Sequence, residues 1–224
     1  MIQKSKIFEA FEEEKGRRKQ LYTVNLVPGK DVYGEKLFKQ DGIEYREWEP
    51  FKSKIAASIL KGSPNICIRK NDVVLYLGSS SGTTVSHVSD IVGNEGFIFA
   101  VDIAPRVMRD LIFLCYERKN IAPILADSNK VDDLKERISV VDVIYQDIAQ
   151  KNQVEIFLKN VDMFLKDGGY AILAVKARSI DVTKQPKGIF KEVKEKLEKN
   201  LIIIDYRELE PFQKDHCMFI CKKN

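Results

Sequence analysis

A buried strand, a glycine-containing loop and the start of a helix follow one another in Leu75-Tyr76-Leu77-Gly78-Ser79-Ser80-Ser81-Gly82-Thr83-Thr84. The glycines matter because a residue without a Cβ atom can turn sharply and bring its backbone close to a ligand. The first turn of the following helix presents backbone N–H groups that have no partner within the helix. The segment therefore predicts an α/β architecture with a ligand site at the loop.

The chain beyond residue 50 alternates between strand and helix. Strand-length apolar runs cover residues 73–77, 97–101, 122–126, 141–145, 170–175, 201–206 and 217–221, and helical patterns cover 83–92, 105–119, 132–138, 153–165 and 187–199. Continuously apolar strands separated by helices indicate a parallel sheet covered on both faces. The link 207–216 is short and has no helical pattern, so the last strand is expected to be antiparallel. These features predict the Rossmann-like seven-stranded sheet of class I methyltransferases.

The first fifty residues have a different pattern. They contain short β-like runs, and Asp41-Gly42 lies between two of them, which is typical of a hairpin turn. We therefore expect a small β-rich N-terminal domain over residues 1–50 and a methyltransferase domain over residues 51–224.

Composition sets broad limits on function. The chain has 224 residues, 44% of them hydrophobic and 31% charged, with a net charge of +4. This charge permits RNA binding without establishing it. The basic run at residues 15–19 suits either a solvated turn or a phosphate contact. The sequence shows no membrane-length apolar run and no signal-peptide pattern, so we expect a soluble, cytoplasmic protein. The four cysteines form no CxxC pair, so we expect free thiols and no zinc.

Acidic residues at strand ends indicate what the loop binds. Asp102 ends the second strand of the predicted sheet, and Asp127 follows the third. A carboxylate in that position suits the two hydroxyls of a ribose, and ligands of doubly wound sheets bind at this edge. The loop lacks the G-x-G-x-x-G pattern of dinucleotide-binding proteins. A nicotinamide cofactor, or a tight turn with no ligand, remains as an alternative to an adenosyl group.

Five segments resemble the fibrillarin family. They are residues 46–57, the loop 78–84, Tyr145-Gln146-Asp147-Ile148-Ala149-Gln150, Ala174-Val175-Lys176-Ala177-Arg178-Ser179-Ile180-Asp181 and Asp215-His216. The chain departs from the family pattern at Glu49, Ser79, Ser80, Asp102 and Lys130-Val131. The aspartate at position 102 replaces the usual glutamate and shortens the reach to a ribose by one methylene.

The resemblance implies an S-adenosylmethionine-dependent RNA 2′-O-methyltransferase. The cofactor-binding residues it implies are Gly78, Ser79, Ser81, Gly82, Thr83, Thr84, Asp102, Ile103, Asp127, Ser128, Asp147 and Gln150. The catalytic set it implies is Lys54, Asp147, Lys176 and His216, which the predicted topology brings to the carboxyl edge of the sheet. We expect Lys176 to contact the 2′-hydroxyl, stabilising its developing negative charge or accepting its proton. Asp147 is expected to hold Lys176, and Lys54 and His216 to orient the ribose and its phosphate.

Two other residues are expected to be structural. His87 lies inside the helix after the loop, and Trp48 is expected in the core rather than as a platform for base stacking.

The resemblance also implies a working context. Fibrillarin acts in a box C/D ribonucleoprotein, beside a Nop5/Nop56/58-type scaffold protein and an L7Ae-type RNA-binding protein, on rRNA and possibly tRNA. A guide RNA selects the target RNA by base pairing. The chain lacks the Gly/Arg-rich extension of eukaryotic members and is expected to be archaeal in type. Two alternatives remain: a class I methyltransferase that modifies a base or a protein, and a non-catalytic scaffold subunit.

Overall fold

The N-terminal part of the protein is an antiparallel sheet. The computed structural model describes residues 1–7, 9–16 and 18–224, so Arg17 of the basic run lies outside the described residues. Within these ranges five strands pair in the order β1-β2-β3-β5-β4, namely β1 Gln3–Lys4, β2 Phe11–Lys15, β3 Arg18–Val24, β4 Leu37–Gln40 and β5 Ile43–Trp48. The predicted hairpin is confirmed: Asp41 and Gly42 join β4 to β5 with φ angles of 52° and 78°, as its turn requires.

Residues 73–222, all of them described, contain the second sheet. Its strands are β6 Val73–Leu77, β7 Phe97–Asp102, β8 Ile121–Leu125, β9 Val141–Gln146, β10 Leu165–Lys176, β11 Ile202–Glu208 and β12 His216–Lys222. They lie in the order β11-β12-β10-β9-β6-β7-β8. The final strand, β12, is antiparallel to both neighbours, as predicted, and it lies between β10 and β11 rather than at the edge of the sheet.

Helices cover both faces of this sheet, and the sheet separates two apolar cores, one under the helices of each face. They are α1 Lys54–Leu60, α2 Thr83–Val92, α3 Pro105–Glu117, α4 Gln153–Phe164, α5 Ala177–Ile180 and α6 Pro186–Leu197. One prediction is wrong: residues 132–138 form only a short 3₁₀ helix, Val131–Leu134, followed by turns. Leu134 and Ile138 have helical spacing and are buried, but the segment between them turns at the surface and does not continue the helix. In the described part of the chain no helix is both long and apolar enough to cross a membrane.

A buried ionic network joins the two sheets. Arg46 of β5 is fully buried, and it donates to Glu35 (2.6 Å) and to Asp90 of α2 (2.8 Å). Arg118 donates to the other oxygen of Asp90 at 2.6 Å. Buried charges are tolerated only when they are paired in this way. The network therefore fixes the N-terminal sheet against α2, the helix that begins at the glycine loop.

His87 and Trp48 both lie in this interface. His87 is fully buried, and its Nδ1 and Nε2 atoms bond to the hydroxyls of Thr23 (2.8 Å) and Tyr33 (2.7 Å). Trp48 is also fully buried and stacks on the His87 ring, with 5.1 Å between the ring centroids. These contacts support the structural role expected of His87, and the expected core position of Trp48 is confirmed.

Candidate active site

The glycine loop packs directly against the end of the neighbouring strand. Gly78 has a φ angle of +84°, and a Cβ atom added there would lie 2.3 Å from the carbonyl oxygen of Asp147. The Asp147 N–H donates to the carbonyl of Leu77 at 2.9 Å. Glycine at position 78 is therefore required by contact between two backbone segments, and this contact ties the loop to Asp147.

Asp102 holds the loop in place. Its Oδ2 atom accepts a hydrogen bond from the backbone N–H of Ser80 (2.7 Å), and its Oδ1 atom accepts one from the N–H of Ala104 (2.9 Å). Ser80 has a φ angle of +50°, a conformation that non-glycine residues adopt at a cost. Each carboxylate oxygen has a second lone pair, so Asp102 keeps acceptor capacity toward a ribose while it fixes the loop.

A cavity of about 260 Å³ opens beside the loop, at the carboxyl edge of the sheet. It is lined by seven of the predicted cofactor-binding residues: Gly78, Asp102, Ile103, Asp127, Ser128, Asp147 and Gln150. Ser80, Ile148, Ala149 and Ile156 also line it and were not predicted. The positive φ of Ser80 has no signature in sequence. Ile148 and Ala149 lie between two predicted site residues and could have been included on that ground.

Five predicted cofactor-binding residues do not line this cavity. Ser81 and Thr83 face a separate cavity next to Tyr33, and Gly82 packs on Leu114 of α3. Ser79 and Thr84 are buried. Direct contact of these five residues with a cofactor stays a prediction.

The predicted catalytic residues meet at the same edge. Lys54, the first residue of α1, donates from Nζ to Oδ2 of Asp147 at 2.7 Å, and both side chains are about one-fifth exposed. The expectation that Asp147 holds Lys176 is wrong: in the described structure Asp147 is paired with Lys54, and the exposed Lys176 side chain makes no ion pair. Lys54 begins α1, and its Nζ atom reaches the residue that directly follows β9.

Lys176 and His216 lie opposite each other on adjacent strands. Lys176 ends β10 and His216 begins β12, and the two residues are register partners. The pKa of His216 is lowered from its usual value, chiefly by burial and further by the positive charges of Lys54 and Lys176. Its Nδ1 atom lies 2.6 Å from the carbonyl oxygen of Lys214. Because a carbonyl only accepts, Nδ1 carries the proton, and Nε2 of the neutral ring is left as an acceptor.

Two buried tyrosines lie beneath Asp147. Tyr145 precedes Asp147 by two residues on β9, and its ring centroid is 4.6 Å from that of Tyr76. Burial raises the pKa of Tyr145 well above its usual value, and the Asp147 carboxylate raises it further. The hydroxyls of both tyrosines therefore stay neutral near the carboxylate. The sequence did not predict Tyr145 as a site residue, because its position in an apolar run is typical of any buried strand residue.

The acceptor groups of the cavity suit one class of ligand. Asp102, Asp127 and Asp147 line a single cavity, and all three side chains are hydrogen-bond acceptors with negative charge. They fit a cationic ligand that carries ribose hydroxyls and amino groups as donors.

Comparison with known proteins gives a consistent result. The family model described as Fibrillarin matches residues 2–224. A fibrillarin-like rRNA/tRNA 2′-O-methyltransferase from Methanocaldococcus jannaschii is 52% identical over 203 residues, which are 90% of this chain and 88% of that protein. Aeropyrum pernix fibrillarin in complex with natively bound S-adenosyl-L-methionine has a TM-score of 0.91 and 42% identity, covering 99% of this chain and 97% of that one. A chain of a fibrillarin/Nop5p complex has a TM-score of 0.84 and 44% identity, covering 92% and 94%.

Proposed function

This chain belongs to the fibrillarin family, and from that membership we propose that it transfers a methyl group from S-adenosylmethionine to ribose 2′-hydroxyls of rRNA and tRNA. The observation that carries the proposal is that Lys54, Asp147, Lys176 and His216 come together at the carboxyl edge of the sheet, where Asp147 also lines the carboxylate-containing cavity. A ribose placed among them would present its hydroxyl both to cations and to a neutral imidazole.

The cavity residues fit S-adenosylmethionine, which supplies an electrophilic methyl group when bound. Asp102 offers acceptors for the ribose hydroxyls, and Asp127 offers an acceptor for an amino group. Asp147 lies between this cavity and Lys54. The negative charge of the three carboxylates favours a sulfonium cation over its neutral product, so the same residues would favour release after transfer.

The chain's own groups act on the hydroxyl. We assign Lys176 to stabilise the negative charge that develops on the 2′-oxygen as its proton leaves. Nε2 of His216 has a free lone pair and can accept a hydrogen bond or a proton from the hydroxyl. Lys54 fixes the Asp147 carboxylate through their 2.7 Å contact, which keeps that carboxylate at the mouth of the cavity.

A ribonucleoprotein context is part of the proposal. The solved fibrillarin/Nop5p complex supports a Nop5-type scaffold partner. An L7Ae-type RNA-binding protein and a box C/D guide RNA complete the proposed assembly, in which base pairing selects the target nucleotide. The archaeal source of the relatives supports a cytoplasmic site of action.

The test is guided methylation by the assembled particle. The protein is combined with its Nop5-type and L7Ae-type partners, a box C/D guide RNA, a complementary target and labelled S-adenosylmethionine. We expect a single 2′-O-methyl group at the guide-specified nucleotide, and loss of turnover with retained cofactor binding for Lys176→Ala. Lys199→Ala is the matched control, since this exposed lysine follows the far end of α6. Cofactor binding without RNA methylation would redirect the substrate assignment, and absence of binding would refute the enzyme assignment.

A further inference from the structure

One serine hydroxyl connects the N-terminal sheet to the cofactor loop. Ser86 lies one turn into α2 and is fully buried. Its Oγ atom donates to the carbonyl oxygen of Thr83 at 2.8 Å and accepts from Nη2 of Arg46, on β5, at 2.9 Å. The direction of both bonds is fixed, because a carbonyl oxygen only accepts and a guanidinium only donates. The hydroxyl therefore completes a hydrogen-bonded path from β5 to the first turn of α2.

The path continues from the first turn of α2 into the loop. The backbone N–H of Ser86 donates to the carbonyl of Gly82 at 2.8 Å, so Ser86 holds the carbonyls of two successive residues where the loop becomes a helix. The N–H of Gly82 in turn donates to the carbonyl of Ser79 at 3.1 Å. Gly78 and Ser80, on either side of Ser79, line the cofactor cavity. Each step between β5 and the wall of that cavity is therefore a hydrogen bond or a peptide link.

Arg46 is itself fixed in one orientation. Its Nη1 atom donates to Asp90 at 2.8 Å, and its Nε and Nη2 atoms lie 2.6 and 2.5 Å from Oε1 of Glu35. All three side chains are fully buried. Another orientation of the guanidinium would leave buried charges unpaired, which is costly. Arg46 is therefore a fixed anchor, and the first turn of α2 is held relative to it.

The Ser86 hydroxyl is not what keeps the charge of Arg46 paired. Each of the three guanidinium nitrogens lies within 2.8 Å of a carboxylate oxygen without it. Loss of the hydroxyl would leave these ion pairs in place and would free the carbonyl of Thr83. Its specific effect therefore falls on the junction between the loop and α2.

We propose that Ser86 is a positioning residue for S-adenosylmethionine, through which the N-terminal sheet holds the cofactor loop in its binding shape. The inference rests on the proposed function, because it takes the cavity to be the cofactor site. A loop that samples other shapes binds more weakly, in proportion to the fraction of time it spends in the competent one. The N-terminal sheet thus contributes to cofactor affinity although none of its described residues lines the cavity.

The same helix offers a matched control. Ser89, three residues further along α2, is also fully buried, and its hydroxyl likewise accepts from an arginine, Arg118 (3.2 Å), and donates to an oxygen, Oδ1 of Asn120 (2.7 Å). These bonds lead to the end of α3 and the start of β8, not to the loop. Arg118 keeps its bonds to Asp90 and to the carbonyl of Ser86 when the Ser89 hydroxyl is removed.

The test compares Ser86→Ala with Ser89→Ala in the full chain. Calorimetry gives Kd for S-adenosylmethionine, the assembled particle gives KM for the cofactor and kcat, and thermal unfolding gives Tm. Each variant loses one buried hydroxyl, so both are expected to lower Tm by about 2–4 °C. Ser86→Ala is also expected to raise Kd and KM for the cofactor about fivefold, with kcat at saturating cofactor unchanged. Ser89→Ala is expected to leave all three values unchanged.

A third variant separates the hydroxyl from the size of the side chain. Threonine at a helical position keeps a hydroxyl that can bond the carbonyl three residues back. Ser86→Thr is therefore expected to bind the cofactor with the Kd of the unmodified chain, even if its added methyl group lowers Tm. This variant also tests the proposal if Ser86→Ala does not fold.

Three results would overturn the proposal: a normal Kd for Ser86→Ala, an equal rise in Kd for Ser86→Ala and Ser89→Ala, or a raised Kd for Ser86→Thr. In each case the Ser86 hydroxyl would serve the fold and not the cofactor. Absence of cofactor binding by the unmodified chain would instead refute the proposed function.

Discussion

Replacing Gly78 by alanine should disable the cofactor loop and displace the catalytic carboxylate together. The added Cβ atom would lie 2.3 Å from the carbonyl oxygen of Asp147, whereas ordinary contact begins at 3.4 Å. The two backbone segments must therefore separate by about 1 Å. The left-handed φ of +84° costs an alanine about 1–2 kcal/mol, and forced displacement of packed atoms typically costs a further 1–3 kcal/mol. We expect a total loss of about 2–5 kcal/mol of unfolding free energy.

Two control variants separate the two costs. Gly34 also has a φ of +84°, but no atom lies within 4 Å of an added Cβ, so Gly34→Ala reports the conformational cost alone. Gly188 has open space and no positive φ, and Gly188→Ala in α6 should stabilise the protein by about 0.5–1 kcal/mol. Urea unfolding gives the free energies, and calorimetry gives the affinity for S-adenosylmethionine. The reasoning is refuted if Gly78→Ala costs no more than Gly34→Ala and binds the cofactor normally.

Two further predictions concern charge. Burial and, next, the charges of Arg46 and Arg118 hold the pKa of His87 well below its usual value. The folded chain therefore keeps His87 neutral, whereas the unfolded chain takes up a proton on this residue below about pH 6.5. The unfolding free energy is thus unaffected by the titration of His87 above about pH 6.5, and below it falls by up to about 1.4 kcal/mol per pH unit. His87→Gln should reduce the slope of unfolding free energy against pH between pH 7 and 5, leaving the part that comes from His216, and an unchanged slope would exclude His87 as a source. Asp102→Asn should weaken cofactor binding at least tenfold in calorimetry, because an amide cannot accept from both Ser80 and Ala104; wild-type affinity would show that the loop needs no such anchor.

The alternation of strands and helices in the second sheet and the location of the site could be anticipated because they follow from local rules. Continuously apolar strands separated by helices form parallel sheets, and the ends of such strands meet at one edge. The antiparallel β12 was likewise predictable from the short link before it. The helix predicted over residues 132–138 is wrong because the pattern there is too short. Leu134 and Ile138 are spaced as on one face of a helix, but a turn can bury the same two side chains. Seven residues carry no further pattern that would tell the two structures apart.

Side-chain pairing within the site could not be predicted. Lys54 and Asp147 are 93 residues apart, and their contact depends on how α1 lies across the sheet. Lys176 is much closer to Asp147 in sequence and ends the adjacent strand, which made it the more obvious partner. Neighbouring strand ends share an edge, but the direction of each side chain there depends on the helix packed above. The tautomer of His216 depends on a contact that is close in sequence, with the carbonyl of Lys214 just before β12, but the turn that brings this carbonyl to Nδ1 has no signature in the residue pattern.

The contact between Gly78 and Asp147 gives the two halves of the site a common mechanical support. The N–H of Asp147 is bonded to Leu77, and the N–H of Gly78 is bonded to Val101, so the loop, β9 and β7 are joined by successive backbone bonds. Asp102 then ties the loop back to the end of β7. A change in loop position must therefore move Asp147, and with it Lys54. Methyl transfer needs a fixed distance between the methyl donor in the cavity and the ribose hydroxyl beside the catalytic residues. Backbone contact provides that distance more rigidly than side-chain contacts could, which explains why the most restrictive steric requirement falls on a glycine rather than on a catalytic residue.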